Sequence, residues 1–185
     1  MKMISLIQKI DVTILVFINN NMHSPFMHKT MVAITSLGNI GAIWIVIAVA
    51  LIISKKYRNI GFMVILALIL GSILGEGIIK HVVKRLRPSF NLQSINLMIA
   101  NPASYSFPSG HTTSSFAAAG ILSRYLKKYS LEIFSLAALI AFSRLYLYVH
   151  YPSDVLAGII LGLLCSKATL YIFSKTNIVF YKKGS

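Results

Sequence analysis

The chain has 185 residues, of which 56% are hydrophobic and only 12% charged, and its formal net charge is +14. That length suits a single domain, and soluble domains carry roughly 25% charged residues, so lipid is expected to solvate most of this one. The basic excess does not point to nucleic acid, because the cations punctuate apolar runs and form no basic stripe. Composition and pattern predict an all-α integral membrane bundle of about six transmembrane helices, one domain spanning residues 1–185.

A crossing helix takes about 20 mostly apolar residues. The first expected span is Ile4 to Ile18, an uncleaved helix broken by Lys9 and Asp11, with no small-residue cleavage site before Asn19. It can cross or lie along the interface, and Asp11 is placed near a membrane boundary with no role. Gly38 to Ile53 follows, lengthened by the helix-like run Met27 to Leu37. Ile60 to Ile79 is a full span, and Glu76 near its end is read as an ion-pair partner of Lys80. An intramembrane carboxylate also raises a functional-site hypothesis, here a tuning role.

The helix is expected to run on to Pro88, which stops it. Lys80 and Arg87 are seven apart, about two turns, and so share a face with Lys84 between them. Lys84 and Arg85 are read as side chains snorkelling to the interface. The polar connection from 88 to 108 is long for a structural loop and is expected to fold over the site on the outer side.

Pro108-Ser109-Gly110-His111 opens the next helical run, to Leu126. Ser109 is a good N-cap and Gly110 permits close backbone approach. A helix N-terminus binds phosphate oxygens, and His111 in the first turn can reach a leaving oxygen with a proton. The run is rich in Ser, Thr and Ala, which favours a central, closely packed span. Leu131 to Val149 carries Arg144 near its end. Pro152 then starts the last span, Val155 to Phe173. Asp154 in its first turn is expected to bond one nitrogen of His150, leaving the other free to attack.

With six spans both termini share a face, and that face collects most of the lysines. The positive-inside rule makes it cytoplasmic. Lys29, Lys80, Lys84, Arg85, Arg87 and Arg144, with His23, His28, His81, His111 and His150, then fall on the outer side. Trp44, Tyr146, Tyr148 and Tyr151 are read as interfacial anchors or packing residues, and Cys165, the single cysteine, as a small packing residue.

Three segments, KHVVKRLRP (80–88), PSGH (108–111) and SRLYLYVHYPSD (143–154), resemble the motifs of the type-2 phosphatidic acid phosphatase superfamily, in order and with full spacing. That superfamily also includes bacterial acid phosphatases and vanadium haloperoxidases. The resemblance implies a metal-independent phosphatase working through a phosphohistidine. His150 is then the nucleophile, Asp154 its orienting partner and His111 the general acid. Lys80, Arg87 and Arg144 are the phosphate clamp, completed by Ser109 and the backbone of Gly110. No cofactor is implied. A Zn²⁺ site on two imidazoles and a carboxylate is disfavoured, because three cations would repel the metal.

The expected substrate is a membrane lipid carrying a phosphate or pyrophosphate. Likeness to small bacterial members favours undecaprenyl pyrophosphate, with phosphatidylglycerophosphate and phosphatidic acid as alternatives. A lipid transporter or flippase is the alternative of a different class, disfavoured because no matching halves are visible. A halide-oxidising enzyme is disfavoured by the lipid-embedded site.

Overall fold

The computed structural model describes residues 2–22, 24–91 and 104–175, and every regular element in them is helical. Helix α1 covers Lys2–Met22. Helix α2, Pro25–Leu37, starts where Ser24 Oγ accepts from Met27 N at 3.1 Å, with Pro25 just inside the start. A bend at Asn39–Gly41 follows, with Ile40 at φ 55° and Gly41 at φ 72°. Helix α3, Ala42–Ile53, leaves it at 46° to α2.

Helix α4, Arg58–Gly71, continues through a π-helical segment, Ser72–Ile79, into α5, Lys80–Val83. Together they make one apolar rod of 26 residues. Wide π turns recur at functional sites, and this one carries Glu76. The α-helix ends at Val83, earlier than expected, because Lys84 takes a left-handed conformation (φ 50°). Arg87 therefore leaves the chain beyond the helix, and the argument that it shares a helical face with Lys80 fails. The residue before a proline disfavours helical backbone in any case. A short helix, α6, covers Pro88–Asn91. Residues 92–103 of the expected outer connection, with His23, lie outside the described residues.

Helix α7, Gly110–Tyr125, is the hub, packing on α4, on α8 (Ser130–Tyr146) and most extensively on α9 (Pro152–Lys175). Its composition allows this: Ala117, Ala118 and Ala119 are fully buried. On the facing helix, a Cβ at Gly162 would lie 2.5 Å from the Thr113 carbonyl and 2.8 Å from Ala117 N, so only glycine fits. Cys165 is buried in the same core, as a packing residue should be.

Among the described residues, three helices are long and apolar enough to cross a membrane: Arg58–Val83, Lys127–Tyr146 and Pro152–Lys175. The bent pair α2–α3 makes a fourth. The expected six are not reached by this measure. Helix α7 has only 16 residues, many of them polar, and α1 carries three charges. Trp44 and the tyrosines are packing residues and not interfacial anchors: Trp44 is fully buried and donates to Ser115 Oγ at 3.0 Å, while Tyr146, Tyr148 and Tyr151 are nearly inaccessible.

Candidate functional site

A cavity of about 740 Å³ opens where the bend after α2, the π-helical segment, the start of α7 and the end of α8 converge. Its floor brings together Lys80, Arg87, Gly110, His111, Arg144 and His150. These residues come from three segments up to 70 positions apart, and all six were expected at one site. Val32, Ile40 and Leu68 add an apolar part to its lining.

His150 lies in the short turn between α8 and α9, where Tyr148 takes a positive φ of 57°. It is 2% exposed. Its Nε2 accepts from Arg87 Nη1 at 3.1 Å. An imidazole nitrogen that accepts carries the lone pair, so the ring proton sits on Nδ1. Burial pushes the imidazole down to about 3, with Arg87 and Arg144 adding to the effect against the Asp154 carboxylate. His150 is therefore neutral at physiological pH, with its Nε2 lone pair engaged by Arg87.

The expected bond between His150 and Asp154 is longer than a hydrogen bond. Nδ1 stands 3.6 Å from Asp154 Oδ2. Ser106 Oγ accounts for the gap: it donates to the same oxygen at 2.5 Å and lies 3.5 Å from Nδ1. Tyr151 N also donates to Oδ2, at 2.8 Å.

The cations are held from behind. Arg87 donates to the carbonyls of Val149 (2.7 Å) and Ser104 (2.8 Å), which fixes its guanidinium although it lies outside any helix. Arg144, 3% exposed, donates from Nη1 to Thr35 Oγ1 at 2.6 Å, and its buried Nε has no partner among the described residues. Lys80 Nζ is gripped by both oxygens of Glu76, at 2.6 and 2.7 Å, so the expected ion pair is present. The Glu76 carboxylate also abuts Gly110, where an added Cβ would collide with Oε1. Ser104 Oγ accepts from both Lys80 (3.3 Å) and Arg87 (3.1 Å) and ties the two together.

Ser109 caps α7 through Thr112 N at 3.4 Å and is itself fully buried, so it shapes the helix start. Its hydroxyl accepts from Thr112 Oγ1 at 2.9 Å. His111 Nε2 pairs with Asn39 Oδ1, at 3.0 Å, in the bend after α2.

Lys84 is exposed, as a snorkelling lysine would be, but Arg85 is not a snorkelling side chain. It pairs with Asp154 Oδ1 at 2.7 Å and with Asp11 Oδ2 at 2.6 Å. Asp11, 2% exposed, is thus part of the site's surroundings and not an idle boundary residue. A buried charge demands a partner, and these two close on each other. Thr35, Asn39, Ser104 and Ser106 were also absent from the sequence reading. Hydroxyls and amides outside any spaced motif give no signal; Asp11 did give one, as an acid inside an apolar helix.

The family model described as the PAP2 superfamily matches residues 56–178. The chain belongs to the PAP2 superfamily. Among its relatives, the undecaprenyl-diphosphatase of Sulfolobus acidocaldarius is 35% identical over 65% of this chain and 58% of its own length. This chain thus spans less than two thirds of that relative. Among solved PAP2 and neighbouring structures, Aquifex aeolicus LpxE superposes with a TM-score of 0.77 at 30% identity, covering 88% of this chain and 95% of that one. The transmembrane PAP2-type phosphatidylglycerolphosphate phosphatase of Bacillus subtilis superposes at 0.74 with 25% identity, covering 96% and 90%. The transmembrane Bacillus neighbour and the apolar helices make the chain an integral membrane protein.

Proposed function

We propose that the chain is a lipid phosphatase that works through a phosphohistidine on His150. The observation that carries this reading is that His150, with Nε2 accepting from Arg87, lines one cavity together with Lys80, Arg87 and Arg144, the last with a buried nitrogen left unpaired among the described residues. A phosphoryl group entering there would take the Arg87 and Arg144 guanidinium groups as partners. Arg87 would release Nε2 in doing so. Nε2 then forms the N–P bond as the bond from phosphorus to the leaving oxygen breaks. His111, protonated once the bound phosphate offsets the surrounding cations, gives that oxygen its proton. Water, deprotonated by the now neutral His111, attacks the phosphohistidine and frees phosphate, restoring both imidazoles. In phosphoryl transfer the protein mainly positions groups and offsets charge, and three cations with the α7 N-terminus can supply that without a metal.

The lipid we favour is undecaprenyl pyrophosphate. The name of the Sulfolobus relative supports it, and the Bacillus neighbour keeps phosphatidylglycerophosphate as the alternative. The apolar lining at Val32, Ile40 and Leu68 suits a lipid chain and does not choose between them. We place the protein in the bacterial cytoplasmic membrane as one domain, with α1 and α7 completing six crossings, both termini inside and the site outside. The distribution of lysines supports that orientation.

The test is phosphate release by purified protein from undecaprenyl pyrophosphate, phosphatidylglycerophosphate and phosphatidic acid in detergent, with trapping of radiolabelled phosphate on His150. Release from the polyprenyl lipid above the other two is expected. Release from phosphatidylglycerophosphate alone would replace the substrate, and turnover with no label on His150 would end the mechanism.

A further inference from the structure

Helix α1 lies before the family match, yet it reaches the site through two charged residues. Arg85 donates from Nη1 to Asp154 Oδ1 (2.7 Å) and to Ser153 Oγ (2.7 Å), and from Nη2 to Asp11 Oδ2 (2.6 Å) and Gln8 Oε1 (2.7 Å). Its guanidinium lies 4.0 Å from the centre of the Tyr151 ring. Asp11 in turn accepts from Ser153 N (2.9 Å) and Ser153 Oγ (2.6 Å), which fastens α1 to the first turn of α9, one residue before Asp154. Tyr148, in the turn that carries His150, donates to the Leu15 carbonyl of α1.

Asp154 is fully buried, and three donors fix its two oxygens: Arg85 on Oδ1, Ser106 and Tyr151 N on Oδ2. A carboxylate shared with an arginine cannot turn freely toward His150. Its direction is set by where Arg85 stands, and Arg85 stands where Asp11 holds it.

We propose that Arg85 and Asp11 are positioning residues for the His150–Asp154 pair, so that α1 belongs to the machinery of the reaction. They touch neither the cavity nor the reacting atoms. Their effect passes through Asp154 and Ser106 to Nδ1 of His150, and so to the aim of Nε2. This rests on the nucleophile reading above.

Orthovanadate and inorganic phosphate separate positioning from mere structural support. Both fill the cationic clamp. Vanadate additionally takes the Nε2 lone pair as an axial ligand, mimicking the five-coordinate transition state, and such mimics depend on the reacting geometry. Arg85→Gln and Asp11→Asn are assayed in detergent for inhibition of phosphate release by each anion, on whichever lipid the wild type hydrolyses. The expected result is a loss of about tenfold or more in vanadate inhibition, phosphate inhibition unchanged within about twofold, and a fall in kcat with little change in KM. Asp11→Asn keeps the side chain's shape and one acceptor oxygen, so it carries the test if Arg85→Gln does not fold. Equal weakening of both anions would mean a structural role and overturn the inference, as would no change in either. Wild-type protein that vanadate does not inhibit would instead overturn the nucleophile reading, and this inference with it.

Discussion

The two faces of His150 are built on opposite electrostatic plans. On the Nε2 face, three cations meet one carboxylate, Glu76, and Arg144 keeps a buried nitrogen without a partner among the described residues. On the Nδ1 face, Arg85 meets two carboxylates, Asp11 and Asp154, and the pairs close with short bonds. The first face is short of negative charge and open to a cavity; the second is sealed and slightly acidic. Burying a charge without its counterpart is costly, so the imbalance on the Nε2 face is where the proposed mechanism has an anionic ligand complete the site. The acidic Nδ1 face suits an imidazole that gains positive character when its other nitrogen bonds to phosphorus.

The largest expected effect comes from removing the atom between the faces. His150→Ala should lower turnover by more than ~10³-fold in a protein that stays folded in detergent, as size-exclusion profile and activity together would show. Next come the open-face cations. Arg87→Ala and Arg144→Ala should each cost ~10²–10³-fold in kcat/KM, the range for deleting a donor aimed at transition-state charge. Arg87→Ala also frees Nε2, so its loss should be read against phosphohistidine yield. Comparable activity in either variant would break the contrast between the faces.

Glu76→Gln sharpens the contrast in the other direction. The Glu76 carboxylate holds Lys80 and on the proposed mechanism would compete with phosphate for it, so removing its charge should strengthen inhibition by inorganic phosphate several-fold. If inhibition weakens instead, Glu76 serves to hold Lys80 in place. A smaller signal is expected from pH. Because the folded protein holds His150 down to about 3, its neutral form persists as pH falls and is lost only through that value. The kcat/KM profile between pH 5 and 8, a range that spans the ordinary histidine value of about 6.5, should show no titration that nitrogen-15 spectroscopy assigns to His150. The smallest effect is reserved for Lys84→Ala, which should stay within about twofold of wild type because that side chain is exposed and does not line the cavity.

The open face was legible in the sequence because its members stand at the spacings of the motifs this chain shares with its family and are unusual in apolar surroundings: Lys80, Arg87, His111, Arg144 and His150 could each be named. The spacing argument for Lys80 and Arg87 was mistaken in its geometry, since the helix stops at Val83, yet both reach the cavity. On the sealed face Asp154 was legible through its place after His150, and the residues that hold it were not assigned there. Arg85 looked like one more interfacial cation, Asp11 like a stray acid, and Ser106 like any loop serine.

Composition and motif order by themselves determined a helical membrane protein with a cationic, two-histidine site, because lipid burial and phosphate chemistry each demand particular residue types. Which helices approach closely, where the rod stops, and that Asp11 of the first helix meets Arg85 and Asp154 were decided only by the tertiary structure. Pairing between charges 74 and 69 positions apart depends on how α1 and α9 dock, and no local pattern along the chain encodes that distance.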